Sequence, residues 1–261
     1  MVSHTQTTSK AVSLQGLLAW LGSPTQIQLG RDQTIEWYLL MHPKVVFLKN
    51  LPLNSTVFDI GAGDGRLSDF RGWLGFPRND LRLQGASLFR PELADRYDEF
   101  YVCDIEAHKP ALKAQPTAVI AAQLIEHLQR PSELVDWLSH QMPQGSRLYL
   151  DWPSPLSLRL PSLVDLLAAG YDVSTVNFYD DASHIQTFSL EQVVSICDAK
   201  GFEYENGGVI RLPYLAEALR AQGLDANNTE DERRFFLTAA IWLYTGFVTY
   251  ASFVKRSDIA L

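Results

Sequence analysis

The chain has 261 residues, of which 46% are hydrophobic and 20% charged, and this composition excludes an intrinsically disordered protein. Its length is enough to bury a sizeable core without disulfides or metal ions. The formal charge of −8 argues against a protein that binds nucleic acid chiefly by neutralising phosphates, although it leaves room for a local basic patch. The only cysteines, Cys103 and Cys197, lie far apart in the sequence, which disfavours a disulfide scaffold and a zinc ribbon.

The first 50 residues are predicted to be helical after a frayed tail of residues 1–10. Leucines at helical spacing indicate a helix over 11–21. Its apolar part is short and no A-x-A-like site follows it, so we predict no secretion signal and expect a cytoplasmic protein. Residues 32–49 predict two short helices separated at Pro43, because proline suits the first turn of a helix.

Short apolar segments alternate with helical ones along the rest of the chain. Ser189 and Gln192 form a capping box at the start of one helix, and Gly201 is its stop signal. Another helix is predicted to begin at Pro131. Strands that alternate with helices indicate an α/β protein with a mostly parallel, doubly wound sheet. The predicted strands are 56–60, 81–86, 100–103, 117–122 and 147–150.

The segment 235–254 has no charged residue and is about long enough to cross a bilayer. Threonines and Gly246 dilute its hydrophobicity, and the residues after Gly246 are β-branched and aromatic, which favours a strand. We therefore predict a helix, a turn and a last strand near 247–255. A weakly membrane-associated segment and a true membrane span are the alternatives. Insertions are also predicted near 152–183 and 206–246.

A glycine-rich loop follows the first predicted strand, in the sequence VFDIGAGDGRL of residues 57–67. Glycines permit tight turns and close approach of a ligand, and open α/β sheets bind ligands at this position. The spacing is G-x-G-x-G, whereas a dinucleotide site uses G-x-G-x-x-G. Asp59 and Asp64 would repel a pyrophosphate but suit a cationic ligand with hydroxyls, such as S-adenosylmethionine. A purely structural turn is the alternative.

Further motifs follow in an order that is typical of one family. With DIGAGDG (59–65), they are PTAVIAAQLIEHLQRPSEL (116–134), MPQGSRLYLDWPSP (142–155) and HIQTFSLEQVVSICDAKGF (184–202). Together they resemble the class I S-adenosylmethionine-dependent methyltransferases, in particular the small-molecule branch that includes the ubiquinone-biosynthesis O-methyltransferases. The resemblance covers roughly 56–205, and the predicted strand near 247–255 fits it as well.

The resemblance implies a Rossmann-like methyltransferase fold, which is a seven-stranded, mostly parallel sheet with an antiparallel last strand. It also implies that the chain is divided into a lid and a cofactor-binding domain. Residues 1–50 would form an N-terminal helical lid, and residues 51–261 would form the S-adenosylmethionine-binding domain with the two insertions. Such lids and insertions exclude water and select the acceptor.

The resemblance also implies which residues hold the cofactor. Asp104 would contact the adenine amino group and Ile105 would pack on the ring, while Ala122 and Gln123 would lie beside the methyl donor. Ser87 departs from the family, which has an acidic residue there, so a single hydroxyl bond would replace a bidentate grip on the ribose. The motif around the glycines, which would hold the methionine portion and approach the ribose, contributes Asp59, Gly61, Ala62, Gly63 and Asp64.

Methyl transfer is an in-line displacement at a sulfonium, so alignment and water exclusion supply much of the rate. A hydroxyl acceptor needs a general base, for which His127 and His184 are the catalytic candidates. Alternatively, Glu126 and His127 anchor the helix after the fourth strand, and His184 braces its loop. The spacing of Glu126, His127 and Asp151 matches no metal-ligand pattern, so no metal is predicted.

The predicted function is methyl transfer from S-adenosylmethionine to a small-molecule acceptor, at a hydroxyl oxygen, with S-adenosylhomocysteine as product. Asp151, Trp152 and Tyr179 are candidate acceptor contacts, with a core aromatic as the alternative for Trp152. A weakly active cofactor-binding or interaction module is a second hypothesis, because of Ser87. A protein or RNA methyltransferase is a third, disfavoured by the acidic charge and by AQLI, which stands where amide and base methyltransferases have N/D-P-P-Y. A dinucleotide oxidoreductase is disfavoured by the glycine spacing.

Overall fold

The computed structural model describes residues 11–27, 29–72, 75 and 77–256. The predicted frayed tail, residues 1–10, lies outside the described residues. One sheet of seven strands organises the chain, in the order β3-β2-β1-β4-β5-β7-β6. Neighbours from β3 to β5 are parallel, and β7 is antiparallel to both β5 and β6. The strands are β1 Thr56–Ile60, β2 Arg82–Ser87, β3 Glu99–Val102, β4 Ala118–Ala122, β5 Arg147–Pro153, β6 Phe202–Val209 and β7 Val248–Lys255.

The helices also follow the sequence signals. The predicted capping box of Ser189 and Gln192 is present at α6, and Thr229 forms another with Glu232 at α8, which ends at the left-handed Gly246. The α-helices are α1 Leu14–Leu21, α2 Arg31–Met41, α3 Pro43–Lys49, α4 Pro131–Gln141, α5 Leu163–Ala168, α6 Leu190–Asp198, α7 Pro213–Leu224 and α8 Glu230–Thr245. Short 3₁₀ helices are Arg66–Gly72, Glu92–Arg96, Ile125–His127, Pro155–Arg159 and Phe178–Asp180.

The mostly parallel sheet and its antiparallel last strand are confirmed. So is the helix–turn–strand prediction for 235–254, which is α8, Gly246 and β7. Among the described residues, no helix is both long enough and apolar enough to cross a membrane. The predicted insertions begin too early, because residues 152–153 complete β5 and residues 206–209 complete β6.

The sheet is covered on both faces, as a mostly parallel sheet requires. One face packs against α4 and α6 in a cluster that contains Phe58, Leu138 and Cys197. The other face packs against α3, with Phe47 and Leu48 buried. A third apolar cluster joins α1, α2, α5, α7 and α8, so the N-terminal helices and the α7–α8 pair form an additional helical layer.

Polar contacts fix α1 to this helical layer. The Trp20 ring stacks on Tyr244 with ring centroids 4.0 Å apart, and its indole N–H donates to Glu217 at 2.5 Å. The fully buried Arg220 donates to the backbone oxygens of Leu21 and Ser23 at 3.1 and 2.7 Å. These bonds hold the residues after α1 against α7.

Gly85 in β2 lies in a crowded part of the sheet. A Cβ added there would come within 2.7 Å of the rings of both Phe100 and Tyr97. We expect Gly85→Ala to lower the free energy of unfolding by about 1–3 kcal/mol, because such overpacking forces rings off their positions. Urea denaturation measures the change. Gly22→Ala is the control, since its Cβ meets only Leu18 O at 3.4 Å, and equal midpoints for the two variants would contradict the prediction.

Candidate active site

The predicted site residues gather along one edge of the sheet. The carboxyl ends of parallel strands lie at the same edge, where open α/β sheets bind ligands. Ser87 ends β2, and Ala122 ends β4. Asp151 is the third residue from the end of β5, where it pairs with Ala122. These predicted residues therefore lie at the ends of neighbouring strands, as the sequence motifs implied.

The glycine-rich loop after β1 has a backbone that requires glycine. Gly61, Gly63 and Gly65 have φ values of 73, 55 and 83°, which lie in the left-handed region that disfavours other residues. The N–H groups of Gly61 and Ala62 donate to Ala86 O of β2 at 2.9 and 3.0 Å. A Cβ at Gly61 would lie 3.1 Å from the Leu124 side chain. The start of the loop is thus hydrogen-bonded to the end of β2, and the left-handed glycines turn the chain tightly there.

Asp59 lies at the base of this loop and is 5% exposed. The Tyr97 hydroxyl donates to its Oδ2 at 2.6 Å. Burial raises the pKa of Asp59 to about 6, opposed by the Tyr97 hydrogen bond and by the charge of Lys44. Sequence reasoning missed Tyr97, because it lies 38 residues away and no motif connects the two. A buried carboxylate with one hydrogen bond favours a cationic ligand.

Asp64 behaves differently from Asp59, although the sequence suggested the same role for both. It is exposed, and its Oδ2 accepts a hydrogen bond from Arg66 Nε at 2.7 Å. Its Oδ1 accepts from the backbone N–H of Arg66 at 3.2 Å. Asp64 is therefore engaged in shaping the turn.

The N-terminal helices bring polar groups to the same edge. Burial opposes the charge of Lys44 at the start of α3, yet the carboxylates of Asp151 and Asp59 and the Tyr38 hydroxyl raise its pKa above the usual value. Burial and the Lys44 charge lower the pKa of His42 to about 3. Sequence analysis did not single out Lys44 or His42, because helical periodicity does not show which residues of a covering helix meet the site.

Gln123 and Asp151 are in direct contact. The backbone N–H and Nε2 of Gln123 donate to Asp151 Oδ1 at 3.1 and 2.8 Å. Gln123 has a φ of 49°, a strained conformation for a residue other than glycine. Such strain tends to persist at functional sites where the surrounding bonds hold it in place. The structure thus joins a predicted cofactor contact to a predicted acceptor contact.

The two candidate bases meet around a buried carboxylate. Glu126 is 0% exposed, and neither of its oxygens has a hydrogen-bond partner among the described residues. The Nε2 atoms of His127 and His184 lie 3.9 and 4.0 Å from its Oε1, and the two rings are 4.8 Å apart. Burial raises the pKa of Glu126 well above its usual value. Burial and the neighbouring His184 lower the pKa of His127.

The sequence could not group these three residues, because His184 is distant in the chain. Its loop is tied to Glu126 by backbone bonds, in which the N–H groups of Ile185 and Gln186 donate to Glu126 O at 3.0 and 3.3 Å. In the sequence, Glu126 and His127 have Asp151 as their candidate third metal ligand, and the spacing of the three predicts no metal site. The structure shows that His184 is the residue that lies with Glu126 and His127.

The structure places Trp152 in the core. Its ring is 0% exposed, and its indole N–H donates to Phe188 O at 2.9 Å. This supports the core alternative over stacking on an acceptor. Tyr179, by contrast, is 72% exposed and follows Phe178, whose carbonyl bonds His184 Nδ1 at 2.7 Å.

The predicted adenine and ribose contacts lie at the ends of the neighbouring strands β2 and β3. Asp104 is exposed, and its Oδ1 accepts from the N–H groups of Glu106 and Ala107 at 2.9 and 3.4 Å. Ile105 is buried in the core. Ser87 is partly buried, and its carbonyl accepts from the Cys103 N–H at 2.9 Å. One Asp104 oxygen thus stabilises a turn, and nothing among these bonds engages the Ser87 hydroxyl.

The sequence matches no known family profile and no curated protein. Solved structures are similar to it in fold. A chain of the complex between the Haloferax volcanii Trm112 methyltransferase activator and a methyltransferase is 12% identical, with a TM-score of 0.52 over 94% of this chain and 98% of that chain. A Haemonchus contortus phosphoethanolamine N-methyltransferase 2, solved with S-adenosylhomocysteine, is 14% identical, with a TM-score of 0.51 over 94% of this chain and 58% of that chain.

The cyclopropane synthase MmaA2 from Mycobacterium tuberculosis is also similar. It is 17% identical, with a TM-score of 0.50 over 88% of this chain and 90% of that chain. At these identities the likeness concerns the fold. The Rossmann-like methyltransferase fold that the sequence motifs implied is therefore confirmed.

Proposed function

We propose that this chain, which has the fold of the class I methyltransferases, binds S-adenosylmethionine and transfers its methyl group to a small-molecule acceptor. The observation that carries the proposal is the buried Asp59 beneath a loop of left-handed glycines at the carboxyl edge of the sheet. A carboxylate removed from water is stabilised by a cation, and S-adenosylmethionine brings an ammonium and a sulfonium. A pyrophosphate would be repelled there.

In this proposal, residues at the ends of β2, β3 and β4 hold the ribose, the adenine and the methyl group. Ser87 would hold the ribose, since its hydroxyl donates or accepts one hydrogen bond. Asp104 and Ile105 after β3 would hold the adenine, and Ala122 and Gln123 would flank the methyl group. In this arrangement the loop residues Gly61, Ala62 and Gly63 contact the methionine portion, and Asp64 supports the turn.

The acceptor lies between the ends of β4 and β5, beneath the helices of residues 14–49 and beside Tyr179. We propose a hydroxyl acceptor, because His127 and His184 offer imidazoles near the end of β4 with Nδ1 already bonded and with Nε2 within 4.0 Å of Glu126 Oε1. In the step, the methyl–sulfur bond breaks and its electron pair stays on sulfur as the methyl–oxygen bond forms. The hydroxyl proton passes to an imidazole, and S-adenosylhomocysteine is released.

A cofactor-binding module without methyl transfer is the second candidate. It is favoured by Ser87, which provides one hydrogen bond where a carboxylate would provide two. Turnover distinguishes the two candidates. Formation of S-adenosylhomocysteine from S-adenosylmethionine in the presence of the small-molecule fraction of a cell extract supports the enzyme. Binding without turnover across such fractions supports the module.

Calorimetry with S-adenosylmethionine and S-adenosylhomocysteine tests cofactor binding. We expect both to bind, and Gly61→Ala to weaken binding more than about tenfold, because its Cβ meets Leu124 at 3.1 Å and about 1.4 kcal/mol corresponds to tenfold. Gly145→Ala is the matched control. Gly145 has a similar φ of 77° with no atom within 4 Å of an added Cβ, and it precedes β5 at the opposite edge. Absence of binding to the unaltered protein refutes the proposal.

A further inference from the structure

Glu126, His127 and His184 bring three metal-binding groups together near the end of β4. Their ligand atoms all lie within 4.8 Å of one another. From this geometry we propose that they form a binding site for a divalent first-row metal ion, with two imidazole nitrogens and one carboxylate. No ligand spacing in the sequence shows this site, because the His184 loop reaches it only through the folded structure.

The buried Glu126 carboxylate needs a partner. Glu126 is 0% exposed, and its two oxygens have no partner in the part of the chain that the structure describes. Buried charged groups in proteins are normally paired or bound to a metal. The imidazole nitrogens at 3.9 and 4.0 Å are too far away to form hydrogen bonds with Oε1. A metal ion between these groups would satisfy the carboxylate.

Both imidazoles are oriented by hydrogen bonds at Nδ1. His127 Nδ1 lies 3.2 Å from Ser183 O, and His184 Nδ1 lies 2.7 Å from Phe178 O. A backbone carbonyl only accepts hydrogen bonds, and the Ser183 hydroxyl, 3.0 Å from His127 Nδ1, donates its own proton to Asp181 Oδ1. Each Nδ1 therefore carries the proton and each Nε2 keeps a free lone pair. Both Nε2 atoms lie on the Glu126 side. Bonding of the remote nitrogen to a carbonyl is the usual arrangement for metal-binding histidines.

The spacing of the ligand atoms is close to that of a metal site. Metal–ligand bonds of about 2.1 Å place neighbouring ligand atoms about 3.0–3.4 Å apart. The separations of 3.9 and 4.0 Å from Glu126 Oε1 therefore need to shorten by roughly 0.5–1 Å, and the widest separation in the group, which is within 4.8 Å, by up to roughly 1.8 Å. Binding of the ion therefore requires the side chains to rotate toward it. Asp181 Oδ2 lies 3.9 Å from His184 Nε2 and is within reach as a further oxygen ligand.

The donor set indicates the kind of ion. Two imidazoles and one carboxylate suit the ions from Mn²⁺ to Zn²⁺, whereas Mg²⁺ and Ca²⁺ prefer oxygen ligands. Three protein ligands leave coordination positions open for another group. On the proposed function, that group is the acceptor oxygen: with both imidazoles bound to the ion, the ion would replace them in making the hydroxyl acidic, and its proton would pass to solvent. This use rests on the proposed methyl transfer, whereas the metal site itself does not.

Calorimetric titration of the metal-stripped full chain with Zn²⁺ tests the site. We expect one ion per chain, and we expect His127→Ala, His184→Ala and Glu126→Gln each to weaken binding by about 100-fold or more, since even residues that only orient a ligand change affinity 10–100-fold. The control is His140→Ala on α4, whose Nδ1 bonds Asp136 O, and its Zn²⁺ affinity is expected to stay unchanged. Circular dichroism verifies that each variant is folded.

Absence of stoichiometric Zn²⁺ binding would overturn the proposed metal site. So would an unchanged Zn²⁺ affinity in the folded double variant His127→Ala, His184→Ala, or a higher affinity for Mg²⁺ than for Zn²⁺. Replacing Zn²⁺ with Co²⁺ gives a second measurement, because the visible spectrum of Co²⁺ reports imidazole coordination. The same protein is titrated with S-adenosylhomocysteine. Zn²⁺ binding without S-adenosylhomocysteine binding supports the metal site and refutes the proposed function, and the reverse result refutes the metal site alone.

Discussion

Replacing Asp59 by asparagine is expected to weaken S-adenosylmethionine binding by about 100-fold, because the loss of one partner from a buried charge pair costs 2–5 kcal/mol. The same change is expected to stabilise the protein without cofactor at pH 7.5. Both effects come from the desolvated carboxylate, which is 5% exposed and has one short hydrogen bond from Tyr97. Calorimetry measures the first effect, and urea denaturation measures the second.

The pH dependence gives the sign of the stability change. The folded pKa of Asp59 is about 6, against a reference value of 3.8, so the folded state binds the proton more tightly than the unfolded chain. Stability from this group is therefore present below about pH 4 and lost as the pH rises through 6. Two pKa units correspond to about 3 kcal/mol. Asparagine avoids this cost but forms a weaker bond with Tyr97, so we expect a net gain of about 1–2 kcal/mol.

The variant is expected to lose its advantage at pH 4, where the native carboxyl is protonated. Asp64→Asn is the control for stability, because Asp64 is exposed and pairs with Arg66, and such surface pairs contribute about 0–1 kcal/mol. A pH-independent difference between Asp59→Asn and the unaltered protein would show that the Asp59 charge is not the cause. Unchanged affinity for S-adenosylmethionine would remove Asp59 from the cofactor site.

The sequence predicted the elements whose signals are local. The apolar run before the glycines gave β1, and the capping box gave α6 within one residue of its start. In contrast, β6 was not predicted, because most of its residues are exposed and it includes two glycines. An edge strand of this kind lacks the alternation of buried and exposed residues that indicates a strand.

The position of the candidate site residues at the carboxyl ends of strands was predictable. Ser87 ends β2, Gln123 follows β4, and Asp59 is the last residue but one of β1. The partners that decide their chemistry were not predictable, since they come from other elements. Tyr97 reaches Asp59 from a 3₁₀ helix end, and Lys44 reaches the same carboxylates from α3. Spacing within one segment carries no information about such contacts.

Trp152 was predicted to contact the acceptor, but its ring lies in the core. It follows an apolar strand segment at the predicted site edge, which suggested an acceptor contact. In the sheet, alternate residues of a strand face opposite sides, and Trp152 faces the cluster shared with α4 and α6. Its polar atom is satisfied within the protein by Phe188 O. The ring therefore contributes to stability and holds the segment before α6 against the sheet.

Trp152→Ala is expected to lower the free energy of unfolding by about 3–5 kcal/mol, because it removes a fully buried ring and leaves a cavity. Trp152→Phe is expected to cost less, since it keeps most of the apolar volume and loses the bond to Phe188 O. Urea denaturation of both variants measures these costs. The control is Tyr179→Ala, which removes an exposed ring and is expected to change stability by less than about 0.5 kcal/mol. A stable Trp152→Ala protein with impaired methyl transfer would return Trp152 to the acceptor site, because a ring that stacks on an acceptor contributes to turnover and not to the core.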